Sequence, residues 1–131
     1  MFKAKAAFSG FSVNDLAAAK TFYTEKLWLK VEHEGDMGLT VHLPQGNTVF
    51  VYPKDDHQPA TFTILNFVVD SIDRAVEELK NRGVTFEQYQ DMPQDEKGIL
   101  RGLSQNMGPD IAWFKDPAGN ILSVLQDSRK T

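Results

Sequence analysis

The sequence predicts an α+β fold built from two copies of one β-α-β-β-β module, and three observations carry that prediction. Phe11, Val13, Leu16 and Ala19 align with Phe67, Val69, Ile72 and Ala75, each pair 56 residues apart. Pro44, Gly46, Asn47 and Val51 align with Pro117, Gly119, Asn120 and Val124, each pair 73 residues apart. Each half also carries one stretch of helical periodicity followed by short alternating runs. Two long copies are too few and too long for a solenoid. The expected organisation is a single domain over 1–131, with a first module at 4–53 and a second at 61–127.

The elements follow in order. Ala4–Val13 reads as a strand through Phe8, Phe11 and Val13. Asn14 and Asp15 are both able to cap a helix, because a short side-chain oxygen can accept from the first free amides. LAAAKTFYTEKL then places Leu16, Ala19, Phe22, Tyr23 and Leu27 at helical spacing. Leu29–Glu34, Leu39–Leu43 and Thr48–Tyr52 read as strands, with turns at Gly35–Gly38 and at Pro44–Asn47. Pro53–Pro59 is a polar connector. The second half repeats this: a strand at Thr61–Val69, a cap at Asp70, a helix ending at Gly83, and strands at Val84–Tyr89, Ile111–Lys115 and Ile121–Gln126. The extra residues of the longer half fall mainly in Asp91–Asp110, which carries Pro93, Gly98, Gly102, Gly108 and Pro109. A ferredoxin-like βαββαβ chain is the rival, and it requires a helix between Tyr89 and Ile111.

Composition excludes several classes. A chain of 131 residues can bury about two-thirds of its extended surface, so a real core is available. There is no cysteine, which removes disulfide scaffolds, thiolate metal sites and Cys nucleophiles. A net charge of −4 without a basic run argues against nucleic acid. No apolar run is long enough for a membrane helix, and the start is too short in apolar residues for a signal peptide. The expected location is the cytoplasm. No phosphate, dinucleotide, hydrolase or metalloprotease motif is present.

FSVNDLAAAKTFYTEKL near the start and FKDPAGNILSV near the end, at this separation and within a duplicated βαβββ pattern, resemble the vicinal oxygen chelate superfamily. That group includes glyoxalase I, extradiol dioxygenases and bleomycin-resistance proteins. The resemblance covers about Phe8 to Gln126. It implies that two modules pair into an eight-stranded cup, with helices outside and the ligand inside. It also implies four metal-ligand positions, here Phe8, Phe50, Ile64 and Ser123. Apolar side chains donate no electron pair and Ser is a poor ligand for divalent ions. The expectation is no metal and no other cofactor, which places the chain near the bleomycin-resistance-like branch.

Strand alternation puts Phe8, His42, Phe50, Tyr52, Ile64 and Ser123 on the cup face, with Trp113 beside them. Val49, Val51, Leu122, Val124 and Phe114 are then the core. These seven cup residues are the candidate ligand-binding set, since aromatic walls with a few polar tips suit small molecules. His42 is a candidate acid or base, because imidazole titrates near neutrality, or else a hydrogen-bonding wall residue. No paired carboxylate is apparent for it. His33 and His57 read as solvated. Trp28 stands where the second half has Gly83, so either the first helix ends differently or Trp28 covers an apolar partner. Asp91–Asp110 reads as a flap, with Lys97 and Arg101 either solvated or facing an anion.

The leading expectation is a module that sequesters a small hydrophobic or aromatic compound without turnover, in a homodimer. The alternative is a lyase, isomerase or dioxygenase that uses relocated metal ligands or His42. A third is a structural or regulatory partner with a filled cup.

Overall fold

The computed structural model describes residues 1–128, which divide into a first compact unit, Met1–Pro59, and a second that begins at Ala60. The first unit contains β1 (Ser9–Val13), α1 (Leu16–Thr21), β2 (Val31–His33), β3 (Leu39–His42) and β4 (Thr48–Pro53). Its sheet runs β1-β4-β3-β2, with β1 parallel to β4 and the other pairs antiparallel. The second unit contains β5 (Thr63–Val68), α2 (Ile72–Asn81), β6 (Leu100–Arg101), β7 (Asp110–Lys115) and β8 (Ile121–Gln126). Its sheet runs β5-β8-β7-β6 with the same directions. The fold is α+β with two four-stranded sheets.

The repeat extends to individual contacts. Phe11 pairs with Val51 across β1 and β4, and their counterparts Phe67 and Val124 pair across β5 and β8. Asp15 Oδ1 accepts from the Ala18 amide at 3.0 Å, and its counterpart Ser71 accepts from the Arg74 amide at 3.3 Å. The cap of α2 is therefore Ser71, not the expected Asp70. The turn before β4 closes through Leu43 N–H to Asn47 O at 2.8 Å, and the turn before β8 through Asp116 N–H to Asn120 O at 3.0 Å. The buried Asp116 also accepts from the Ala118 and Asn120 amides.

Each sheet buries the face that alternation assigned to the core. Val49, Val51, Leu122, Val124 and Phe114 are all buried. The α2 face formed by Ile72, Val76 and Leu79 is buried in the second unit, where α2 packs on β7 and β8. Between Tyr89 and Ile111 the longest helical piece is the three-residue turn Leu103–Gln105, so the βαββαβ rival is set aside.

Four local expectations are corrected. β1 begins at Ser9, which leaves Phe8 outside the sheet and 71% exposed. The first helix is α-helical only to Thr21 and continues as a π-helical turn over Phe22–Lys26. Thr24 Oγ1 donates to Lys20 O at 2.7 Å and competes for the helix carbonyl. The wider turn buries the consecutive rings of Phe22 and Tyr23 together, edge to face at 5.1 Å. Trp28 then takes φ +56°, the left-handed conformation expected of glycine, while Gly83 takes φ +91° in the second unit. Finally, Val84–Tyr89 is not a continuous strand. It touches β7 through one bridge, Phe86 to Phe114, and the fourth strand of the sheet is Leu100–Arg101, drawn from the stretch read as irregular.

Candidate functional site

The second unit holds a cleft of about 510 Å³, within the size range of small-molecule pockets. Strand β7 contributes Trp113, β5 and the residues before it contribute Phe62 and Thr63, and the segment after Phe86 contributes Tyr89, Asp91 and Met92. Trp113 alternates with the buried Ala112 and Phe114, so its indole stands on the opposite face of the sheet. The indole N–H donates to Thr63 Oγ1 at 3.1 Å. The Tyr89 ring meets Trp113 edge to face, with centroids 5.6 Å apart. Burial pushes the Tyr89 hydroxyl above its ordinary pKa, and the Glu87 charge adds to this.

Of the candidate residues in this unit, Trp113 lines the cleft and Ser123 does not. Ser123 is fully buried, directly across from Trp113, and its hydroxyl donates to Asn66 Oδ1 at 2.5 Å. Ile64 is the residue skipped where the β5–β8 register shifts between Thr63 and Leu65. That bulge breaks the alternation on which its placement depended.

The other candidates lie in the first unit. Phe50 and Tyr52 stack at 6.0 Å with rings 20° apart. The Phe50 ring lies against Gly38, where any side chain would collide with it and with the Val51 carbonyl. His42 Nε2 lies 2.5 Å from Glu32 Oε1. This corrects the reading that His42 has no carboxylate. Residues ten apart in sequence meet because β2 and β3 run antiparallel. The hydrogen bond from His42, with Lys30 adding, holds the Glu32 carboxyl below the usual carboxylate range. His57 is not simply solvated: its Nδ1 lies 2.6 Å from Ser12 Oγ. Phe8 stands apart from all of these contacts, in water.

The charges read as solvated or ligand-facing are bound within the unit. Arg101 donates to both carboxylate oxygens of Asp73, at 3.1 and 2.7 Å, and to Asp95 Oδ2 at 3.1 Å. Lys97 joins the same Asp73 at 3.3 Å. The Arg101 guanidinium holds the Asp73 carboxyl down at about 2.

The resemblance implies a divalent metal, and the residues present do not fit one. Three of its four positions are apolar, and the fourth, Ser123, has its oxygen engaged by Asn66. Among the described residues no three of His, Asp or Glu gather in a way that could hold a metal. No chemical step is therefore assigned to a metal. Tyr89, Phe62 and Met92 escaped the sequence reading. Met92 lies in a loop, which has no period from which a facing direction can be read, while Phe62 and Tyr89 fall at the ends of the stretches read as strands, where the ladder has not begun or has already stopped. Glu32 was legible in principle, as the cross-strand neighbour of Thr40 once the β2–β3 register is known.

The family model for the glyoxalase/bleomycin resistance protein/dioxygenase superfamily matches residues 7–124. The chain belongs to this superfamily. Solved structures of similar fold span nearly the whole chain. One is TnmS3, an antibiotic-binding protein from Streptomyces sp. CB03234, at 24% identity and TM-score 0.61, covering 97% of this chain and 100% of that one. Another is the fosfomycin resistance protein FosX from Listeria monocytogenes, at 16% identity and TM-score 0.67, covering 97% and 96%. A third is a glyoxalase family protein from Bacillus anthracis, at 15% identity and TM-score 0.67, covering 98% and 100%. No curated protein matches the sequence. Among the described residues, no helix is long and apolar enough to cross a membrane.

Proposed function

We propose that this superfamily member binds a flat, aromatic or amphipathic small molecule, of antibiotic-like size, and holds it without turnover. The observation that carries the reading is the cleft at Trp113. Its indole is oriented by Thr63 and braced by Tyr89, which presents a fixed aromatic wall beside the carboxylate of Asp91. A ring stacks on such a wall at little entropic cost, and a cationic or donor group on the ligand meets Asp91. The antibiotic-binding protein of similar fold supports the ligand class. In this reading the modules 4–53 and 61–127 work as one cytoplasmic domain, without metal or other cofactor, in a homodimer. Phe50 and Tyr52 offer a second aromatic shelf in the first unit.

The test is a titration of planar antibiotics against the Trp28→Phe protein, in which Trp113 is the one remaining indole. Binding quenches or shifts its emission. A ligand at 100 times its Kd adds about 2.7 kcal/mol, which moves the melting temperature by several degrees. Trp113→Ala abolishes the thermal response, and a chelator changes neither response. A broad panel that moves neither emission nor melting temperature overturns the reading.

The His42–Glu32 pair favours a second reading, a lyase, isomerase or dioxygenase with His42 as acid or base, because a carboxylate-oriented imidazole is a working proton-transfer unit. Turnover lost in both His42→Ala and Glu32→Gln is the result that would replace binding by catalysis.

A further inference from the structure

The wall of the cleft formed by Tyr89–Met92 belongs to a segment with little strand pairing. After the bridge at Phe86 and the amide of Glu87, which donates to Trp113 O at 2.8 Å, no ladder ties it to β7. A backbone in that position needs other partners. Turn bonds satisfy the Tyr89 and Met92 carbonyls, and the Tyr89 amide and the Glu87 carbonyl both turn to one side chain. Gln94 Oε1 accepts from the Tyr89 amide at 2.7 Å. Gln94 Nε2 donates to Glu87 O at 2.9 Å and to Gly98 O at 2.7 Å. The amide orientation follows from its partners, because a flip would set its oxygen against two carbonyls.

We infer that Gln94 is a positioning residue of the cleft: its carboxamide replaces a missing strand and fixes the backbone that carries the Tyr89 ring against Trp113. The consequence for a ligand rests on the binding reading given above. Gln94 is itself held. It pairs with Leu100 across a short hairpin, and the next residue, Asp95, closes that hairpin by accepting from the Lys97 and Ile99 amides, each at 2.9 Å. Asp95 also accepts from Arg101, which grips Asp73 on α2. Polar contacts from Asp73 through Arg101 to Asp95, and the peptide bond from Asp95 to Gln94, thus link α2 to the aromatic wall. Gln94 bonds both Glu87, the last residue to bond a β7 carbonyl, and the Tyr89 amide that begins the wall. Glu at this position keeps the acceptor for Tyr89 but, when ionised, turns its second oxygen on two carbonyls. Met keeps the length and loses every bond.

The experiment needs no ligand, so its failure is distinct from failure of the binding reading. In the Trp28→Phe background, acrylamide quenching reports access to Trp113, and hydrogen exchange reports the Tyr89 amide. For Gln94→Met the expected result is a quenching constant raised about two-fold and Tyr89 exchange faster by about ten-fold, with the Val124 amide unchanged. Gln94→Glu raises quenching while retaining more Tyr89 protection than Gln94→Met, a graded pattern that mere loss of stability would not produce. Should Gln94→Met fail to fold, the quenching of Gln94→Glu decides alone. Quenching and Tyr89 exchange equal to the parent in whichever variants fold would overturn the assignment.

Discussion

Trp113 reaches across β8 to donate its indole N–H to Thr63 on β5, two strands away in the order β5-β8-β7-β6. To make that bond the side chain spans about 10 Å of sheet, the width of two strand spacings. The same residue is paired with Ser123 through the backbone and braced by Tyr89 from the side. Sheet, bulged edge strand and loop all act on one ring.

The first prediction concerns that bond. Trp113→Phe keeps the aromatic packing and removes the donor, so it costs about 1 kcal/mol of stability. Thr63→Val removes the acceptor at nearly constant shape. In the double mutant the second change costs less than it does alone. Urea melts of the four proteins measure the coupling, and additive effects would show that the bond contributes nothing.

Acid sensitivity of the Asp73–Arg101 contact has a definite sign. The folded pKa of Asp73, about 2, lies below that of an unpaired carboxylate. The contact's contribution is therefore present above about pH 4 and is lost as pH falls through about 2. Asp73 is half exposed, so the contribution is at most about 1 kcal/mol after solvent screening. At pH 5 Asp73→Asn is expected to melt below the parent, and near pH 2 the two converge. A gap that persists unchanged to pH 2 would assign the effect to something other than the ionised pair.

Trp28 spends conformational energy to hold an exposed ring. A left-handed residue with a side chain costs about 1–2 kcal/mol relative to glycine, and Trp28 is 72% exposed. That expense is accounted for if Trp28 contributes to the proposed homodimer. Trp28→Gly is expected to keep the fold and to raise the dimer dissociation constant. Analytical ultracentrifugation measures it, and a purely monomeric parent at micromolar concentration would refute the dimer.

Much of the fold was legible without coordinates. The equivalence of the two halves was legible: Phe67 pairs with Val124 as Phe11 pairs with Val51, since one set of apolar positions solves the same packing problem twice, although the pairing itself comes from the fold. The alternation that buried Val49, Val51, Leu122 and Val124 also turned Phe50 and Trp113 to the other face, because side chains in a strand point by turns to opposite sides. The absence of family metal ligands at Phe8, Phe50, Ile64 and Ser123 was likewise a matter of reading letters at matched positions.

Tertiary structure decided what periodicity cannot express. Phe8 lies outside the sheet because strand ends are set by pairing, and Ile64 was displaced by a bulge. Ser123 shares the face of Trp113 yet is fully buried there, its hydroxyl satisfied by Asn66, 57 residues away in sequence. His42 gained Glu32 only when two strands came together. The cleft wall at Tyr89 depends on the side chain of Gln94 and on an arginine that reaches back 28 residues to α2. A sequence declares which face of a strand or helix is apolar, because that is a local, repeating property of the chain. Which polar groups meet across the folded unit is fixed by geometry that exists only once those faces have been buried.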